Sequence, residues 1–177
     1  MRSYSLFDTA FGRGAIAWGS AGVFAASFPS TEEKAMAGIK RRAPDADERE
    51  PDGEIAALIH EIAALFRGEK RDLGGARLDL SGVDSFEQGV YAATRAIPPG
   101  AVKTYGEIAR ALGDVALAQR VGQALGRNPI PVIVPCHRVI GADGRMTGFS
   151  APGGTEAKMR LLKLEGGVAP DLFDRAP

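Results

Sequence analysis

The chain has 177 residues, 45% of them apolar, which is long enough for one full domain or two small ones with ordinary hydrophobic cores. Its 22 basic and 22 acidic residues cancel, so net charge predicts binding neither to nucleic acid nor to a membrane surface. Any affinity for a polyanion has to come from a local group of basic side chains.

Cysteine and histidine are scarce. One cysteine excludes an intrachain disulfide, and with two histidines it leaves too few ligands for a structural zinc site unless carboxylates contribute. The N-terminus lacks the apolar stretch of a signal peptide, and no run approaches the roughly 20 apolar residues that span a bilayer. We therefore expect a cytoplasmic protein without a membrane segment, a metal or a cofactor.

The N-terminal part predicts a small antiparallel sheet. Runs with β-branched and aromatic members at 4–7, 15–18 and 23–28 are separated by glycine-containing turns, which is typical of a meander. Residues 78–80 are a candidate edge strand.

Two helices are predicted beside this sheet. The first follows a capping residue, Thr31, and runs to Arg42. A solvated loop is expected over 43–53, and apolar residues at helical spacing then predict an amphipathic helix over 55–66.

Three further helices are predicted over 85–126. Ser85 and Gln88 have the spacing of a capping box, as do Thr104 and Glu107. Asp114 is a candidate cap for a third helix over about 115–126. Two short helices joined by a glycine-containing turn make a helix-turn-helix candidate.

The third of these helices has two different faces. Leu117, Val121 and Leu125 form an apolar stripe, whereas another face carries Arg120, Gln123 and Arg127. A solvated charged face is the ordinary interpretation of such a pattern. Basic residues outnumber Glu107, Asp114 and Asp143 nearby, however, and this favours contact with nucleic acid. These basic residues are Lys103, Arg110, Arg120, Arg127, Arg138 and Arg145.

The single cysteine follows an apolar, proline-punctuated run, residues 130–135, which predicts a short buried extended segment ending in a rigid turn. A lone cysteine is also typical of a buried packing residue. Here, however, His137 and Arg138 follow Cys136 directly, and the thiolate is the nucleophilic form. Because adjacent side chains of an extended stretch point apart, we expect Cys136 and His137 to communicate through a water molecule. A glycine-rich loop over 147–154 and a last helix over 155–164 follow, with Glu165 at its end.

The stretch Asn128-Pro129-Ile130-Pro131-Val132-Ile133-Val134-Pro135-Cys136-His137-Arg138-Val139-Ile140 closely resembles the active-site signature of the O6-alkylguanine-DNA alkyltransferases, also called methylated-DNA–protein-cysteine methyltransferases. The resemblance runs from about Ser85 to Gly166. It implies an α+β fold in which a ribonuclease-H-like α/β domain, 1–81, precedes a mostly helical, winged helix-turn-helix-like domain, 82–177, that carries the Pro-Cys-His-Arg site.

The resemblance also implies the activity. The protein would act as a monomer, without a cofactor, on double-stranded DNA containing O6-alkylguanine, with O4-alkylthymine as a further candidate substrate. It would flip the nucleotide and transfer the alkyl group irreversibly to Cys136. His137 would take the thiol proton through a water molecule, and Glu165 would orient the imidazole. Asn128 would tie the recognition helix to the cysteine turn.

Other family roles map onto residues that contact DNA and base. Arg120 matches the arginine that fills the vacated stack, and Tyr105 matches the tyrosine that presses on the 3′ phosphate and offers its hydroxyl to the base. Gln123 and Arg127 extend the DNA-binding face. The base pocket would be formed by Val139, Phe149 and Ser150, where Phe149 departs from a common tyrosine and Ala151-Pro152 lengthens the loop. Tyr91 replaces a common tryptophan.

Two other classes of function fit part of the pattern. A non-catalytic, alkyltransferase-like lesion-binding protein would lack the reactive cysteine, whereas Cys136 is present. A thiol hydrolase using Cys136 and His137 would not explain the helix-turn-helix.

Overall fold

The computed structural model describes residues 1–146 and 149–167. The start of the predicted glycine-rich loop and the end of the predicted second domain, beyond 167, lie outside these residues. The chain combines a four-stranded sheet with six α-helices in the described part, which is mixed α+β content. None of these helices has the length and apolar character that crossing a bilayer requires.

The predicted antiparallel meander is confirmed. Strands β1 (Ser3–Thr9), β2 (Gly12–Gly19) and β3 (Gly22–Ser30) pair in sequence order. Glycine is required at the first turn, because Gly12 has a φ of 113° and an added Cβ would lie 2.4 Å from the Ser30 carbonyl oxygen.

Two segments differ from their predictions. The expected solvated loop contains a two-residue strand, β4 (Asp47–Glu48), which pairs in parallel with β1 and gives the sheet order β3-β2-β1-β4. The candidate edge strand at 78–80 is reduced to a single bridge between Leu78 and Val23. Sheet pairing, a long-range interaction, overrode the local polar composition of the loop.

The two N-terminal helices cover opposite faces of the sheet. Helix α1 (Glu32–Arg42) begins at Thr31, whose hydroxyl accepts a hydrogen bond from Lys34 N, and its Ala35 and Ile39 pack with alternate residues of the strands such as Ala15 and Ala17. Helix α2 (Gly53–Phe66) packs on the other face, where Ile16 and Ala26 point. This is the period-2 alternation of a sheet buried on both sides.

The second half is helical. It contains α3 (Ser85–Arg95), α4 (Tyr105–Ala111), α5 (Ala118–Gly126), α6 (Gly154–Glu165) and a short parallel pair, β5 (Lys103–Thr104) with β6 (Val139–Ile140). The capping box of Thr104 and Glu107 is confirmed. The box predicted at Ser85 is wrong by one residue, because Asp84 caps α3 by accepting a hydrogen bond from Glu87 N. Asp114 caps a 3₁₀ turn, Val115–Leu117, that leads into α5.

Both halves contribute to one continuous hydrophobic core. Phe28 of β3, Phe66 of α2 and Leu161 of α6 belong to the same buried cluster, together with the cysteine turn. Ala26 N also donates a 2.9 Å hydrogen bond to the Pro129 carbonyl. The N-terminal sheet therefore supports the segment that holds Cys136.

Candidate active site

Residues 130–138 form a pair of tight turns and not the extended segment that was predicted. Val134 N donates to the Ile130 carbonyl at 2.9 Å, and Val132 has a φ of 76°, the one positive φ among the non-glycine residues described. Such a conformation is strained for a β-branched residue and persists only where the surroundings hold it. Proline-rich composition masked the turn, because proline is as compatible with tight turns as with extended backbone.

Asn128, the second residue after α5, holds this turn in place. Its Nδ2 donates to the Val134 carbonyl and its Oδ1 accepts from Ile130 N, both at 2.9 Å. Asn128 is buried, so both bonds are shielded from water. Asn128 thus connects the end of α5 to the turn that precedes Cys136.

His137 and Glu165 meet behind the cysteine. Cys136, His137 and Arg138 lie in one 3₁₀ turn, and His137 Nε2 is 3.0 Å from Glu165 Oε1. Within the described ranges neither ring nitrogen makes a well-aligned hydrogen bond, so this is a close contact between a ring nitrogen and a carboxylate oxygen. Glu165 is 2% exposed, which excludes a surface carboxylate at a helix end.

Arg138 lies in the same buried group, and the prediction that it adds to a basic DNA-facing surface is wrong. Its Nε and Nη2 donate to the two oxygens of Glu165 at 3.0 and 2.8 Å, and its Nη1 donates to the Ile97 carbonyl at 2.6 Å. A bidentate pair of this kind fixes the plane of the carboxylate. Glu165 therefore faces His137 in one orientation.

Lys158 of α6 is a site residue that sequence reasoning missed. It is 1% exposed, and its Nζ donates to the Val139 carbonyl at 2.5 Å and lies 5.9 Å from the centre of the Tyr105 ring. Burial lowers the pKa of Lys158 to about 8, an effect opposed by the negative charge that Cys136 carries when it is ionised. The available signal was its position four residues before Leu162 and seven before Glu165, on the buried stripe of an amphipathic helix.

The buried groups set the resting protonation states. Burial raises the pKa of the Cys136 thiol, against the hydrogen bond from Asn128 and the charge of Lys158, which lower it. Burial also lowers the pKa of His137, against the effect of Glu165. For Glu165, burial acts to raise the pKa, but the contacts with His137 and Arg138 prevail and lower it to about 2. A neutral thiol therefore lies beside a neutral imidazole, which is free to accept a proton and is backed by an ionised carboxylate.

A cavity of about 390 Å³ opens in front of the thiol. Cys136, Asn128, Phe149 and Ser150 line it, so four predicted site residues share one space. The Phe149 ring packs edge-on against Phe28 with centroids 5.5 Å apart, and Ser150 Oγ donates to the Gly126 carbonyl at 2.8 Å. Val139, also predicted for the base pocket, is buried next to the turn that carries Cys136 and does not line the cavity. Its carbonyl accepts the hydrogen bond from Lys158.

Helix α5 turns its predicted DNA-binding face toward α3. The Arg120 guanidinium stacks 4.0 Å from the centre of the Phe86 ring, and Arg127 Nε donates to Glu87 at 2.7 Å. Gln123 lies between them on this face.

A second face of α5 is turned toward Tyr105. A Cβ added to Gly122 would lie 3.8 Å from the Tyr105 ring. Gln119 is exposed and lies three residues before Gly122, on this same face.

Comparison with known proteins identifies the family. Residues 85–167 match the family model described as 6-O-methylguanine DNA methyltransferase, DNA binding domain. Methylated-DNA–protein-cysteine methyltransferases of Mycobacterium bovis and Mycobacterium tuberculosis are each 45% identical over 125 residues, which is 69% of this chain and 73% of the relative.

Solved structures agree. The Mycobacterium tuberculosis O6-methylguanine methyltransferase superposes with a TM-score of 0.74 at 35% identity, covering 97% of this chain and 96% of that one. Mycobacterium tuberculosis OGT in complex with DNA superposes with a TM-score of 0.74 at 34% identity, covering 96% of both chains. The Pyrococcus kodakaraensis O6-methylguanine-DNA methyltransferase superposes with a TM-score of 0.71 at 28% identity, covering 94% of this chain and 99% of that one. On its sequence and its fold, the chain belongs to the methylated-DNA–protein-cysteine methyltransferase family.

Proposed function

We propose that this protein repairs DNA by transferring the alkyl group of O6-alkylguanine irreversibly to the sulfur of Cys136. The observation that carries the proposal is the position of the only cysteine, at the wall of a cavity, with His137 and Glu165 directly behind it. A packing cysteine would need neither the cavity nor the buried acid–imidazole contact.

The proposed chemistry begins with the thiol. Its proton passes through a water molecule to His137, and Glu165 stabilises the resulting imidazolium. The thiolate then attacks the saturated carbon in line: the sulfur–carbon bond forms, the carbon–O6 bond breaks, and the electron pair stays on the guanine, which takes up a proton. Asn128 holds the turn that carries Cys136, and Tyr105 offers its hydroxyl to the flipped base.

Flipping is required because O6 is inaccessible to a protein pocket inside a duplex. We propose α5 as the element that enters the groove, with Arg120 filling the vacated stack and Gln123 and Arg127 beside it. Arg120 must leave the Phe86 ring to do so, since the two stack in this structure. Gln119, on the face toward Tyr105, is a second candidate for the same position.

We propose a division into a ribonuclease-H-like domain, 1–81, and a winged helix-turn-helix-like domain, 82–177, that carries the Pro-Cys-His-Arg site. The substrate would be double-stranded DNA containing O6-alkylguanine, with O4-alkylthymine as a further candidate. We further propose that the protein acts as a cytoplasmic monomer and needs no cofactor. The base pocket would consist of Phe149 and Ser150 with the Val139 backbone beneath them.

A single experiment tests this function. The full chain is incubated with a duplex containing one O6-methylguanine, and the intact mass of the protein is measured. A gain of one methyl group, on a peptide containing Cys136, is the expected result. DNA binding without any gain in mass would favour a non-catalytic lesion-binding protein instead.

A further inference from the structure

The cavity in front of Cys136 has a second wall, which comes from the N-terminal half of the chain. Helix α1 lines it with Lys34, Ala37, Gly38, Arg41 and Arg42. These positions recur at helical spacing, so one face of α1 is turned to the cavity while Ala35 and Ile39 face the sheet. Ala37 and Gly38, which are small, lie in the middle of this face. Lys34 lies at one end of it, and Arg41 and Arg42 lie at the other.

Among the described residues, Lys34, Arg41 and Arg42 have no anionic partner. No ion pair within 1–146 and 149–167 involves Lys34, Arg41 or Arg42, whereas Arg13 of the adjacent sheet contacts both Asp8 and Glu32. The described residues that line the cavity include no carboxylate. Burial, together with the neighbouring charge of Arg41, lowers the pKa of Arg42. Positive charge is therefore concentrated, and not neutralised, at one rim of the cavity that holds the thiol.

The position of the cations indicates which anion they would meet. Lys34 and Arg41 are exposed, so they stand where the cavity opens to solvent. A nucleotide whose base reaches Cys136 leaves its phosphates outside the cavity. Phosphate oxygens are the groups that Lys and Arg contact most often in protein–DNA interfaces.

We propose that α1 is a second DNA-binding element, in which Lys34, Arg41 and Arg42 bind phosphates of the lesion-carrying strand across the cavity from α5. This inference rests on the proposed function. It adds a contact surface outside residues 85–167, the part that matches the DNA-binding domain of the family. It also explains why the N-terminal half is packed against the reactive turn, since α1 is held at the cavity rim by the sheet.

The test compares charge-neutralised variants of one helix. Lys34→Gln with Arg41→Gln removes the two exposed cations, and Lys40→Gln is the matched control, because Lys40 Nζ lies 4.4 Å from the Tyr4 ring on the other flank of α1. Each is made in the Cys136→Ala background, and affinity for a duplex with one O6-methylguanine is measured over a series of salt concentrations.

Loss of phosphate contacts has a specific signature. The slope of log K against log salt should fall by about 0.9 for each contact removed, and affinity should drop about tenfold or more. Lys40→Gln should keep the parent slope. A double variant whose slope equals that of Lys40→Gln overturns the proposal, and Arg41→Gln alone provides the comparison if the double variant is not folded.

Alkyl transfer from a free alkylated base measures the chemical step without DNA binding. With Cys136 intact, transfer from O6-benzylguanine should change less than twofold in the α1 variants, because a free base has no phosphate. An equal loss on free base and duplex would overturn the α1 proposal by placing the cations in the reaction itself. Failure of the proposed function looks different, because the parent protein would then take an alkyl group from neither substrate.

Discussion

The Glu165 carboxylate contacts two side chains, Arg138 and His137, and the two contacts have different consequences for the site. Arg138 holds the carboxylate ionised and fixed in orientation through two hydrogen bonds. His137 has lost its exposure to water, so its protonated form depends on that fixed carboxylate. In the proposed mechanism, the buried pair of Arg138 and Glu165 thus stabilises the imidazole that takes up the thiol proton.

Cys136→Ala should abolish alkyl transfer and retain DNA binding, because the nucleophile and the proposed groove contacts are different residues. Methyl transfer is measured by the mass of the protein and by loss of methyl from DNA, and binding by a titration of the same duplex. Measurable methyl loss from DNA with the variant would refute the assignment. Loss of binding together with a lower melting temperature would indicate misfolding.

Glu165→Gln should raise the apparent pKa of Cys136 and slow alkylation at neutral pH, because a neutral amide stabilises the imidazolium less. It should also destabilise the protein by about 3–5 kcal/mol, since Arg138 would remain buried without its anion. The measurements are the pH-rate profile with a free O6-benzylguanine base and thermal melting. Glu156→Gln, an exposed carboxylate in the first turn of α6, is the control. An unchanged pH-rate profile would assign Glu165 to structure alone.

The acid stability of the parent protein provides an independent check on Glu165. A carboxylate whose folded pKa is lowered contributes stability at any pH above its ordinary pKa, and this contribution is lost as pH falls from about 4.5 to about 2. The shift corresponds to roughly 3 kcal/mol. The free energy of unfolding should therefore decline across this window in the parent and decline less in Glu165→Gln. Equal declines in the two proteins would show that other carboxylates account for it.

At the scale of elements, α5 serves two surfaces. One face packs its arginines against Phe86 and Glu87 of α3, and the other places Gly122 against Tyr105. A Cβ added at Gly122 would be in ordinary van der Waals contact with the Tyr105 ring, so α5 lies close to Tyr105 at this point. In the proposed mechanism, the small Gly122 lets the backbone of α5 lie close to the groove, and longer side chains act from its edges.

Arg120→Ala should slow transfer from a duplex by about tenfold or more and transfer from free O6-benzylguanine by less than twofold, because only the duplex requires a base to be unstacked. Single-turnover rates on the two substrates measure this difference. Gln119→Ala, measured in parallel, is the matched variant on the face toward Tyr105. Equal losses on duplex and free base would refute the stacking role of Arg120, and a duplex-specific loss in Gln119→Ala alone would move that role to Gln119.

At the scale of the whole molecule, the reactive turn lies inside a core shared by both halves of the chain. The sheet contributes the Ala26–Pro129 hydrogen bond and the Phe28 ring against Phe149, while α6 contributes Lys158 and Glu165. A change at Cys136 therefore acts on packing between segments that are far apart in sequence. This couples the chemical state of the thiol to global stability.

Each chain should react once. Alkylation converts the thiolate into a thioether, a poor leaving group, and the chain has no second cysteine to accept the alkyl group. With methylated duplex in excess, repaired DNA should therefore plateau at one equivalent per chain. Repair beyond one equivalent, or methyl found elsewhere than on the peptide containing Cys136, would contradict the single-turnover mechanism.

The alkylated protein should also melt at a lower temperature. An added carbon in a packed turn typically costs about 1–3 kcal/mol, and 1 kcal/mol shifts the melting temperature by about 2–4 °C for a chain of this size. Thermal melting before and after reaction measures the shift. An unchanged melting temperature would remove only the strain argument.

The sequence by itself determined the features that depend on neighbours a few residues apart. The meander, the caps at Thr31 and Thr104 and the apolar stripe of α5 all follow from local spacing and turn chemistry. These signals are short-range, so they can be read without knowing how the elements pack.

Only the tertiary structure decided which distant groups meet at the site. Arg138 reaches Glu165 across 27 residues and Lys158 reaches Val139 across 19. Helical spacing could place Lys158 on the buried stripe of α6, but no local pattern identifies the partner of either side chain. The same holds for α1, whose cations line the cavity only because the sheet packs beside the reactive turn. Burial and charge pairing arise from packing between elements, and packing is a property of the folded chain as a whole.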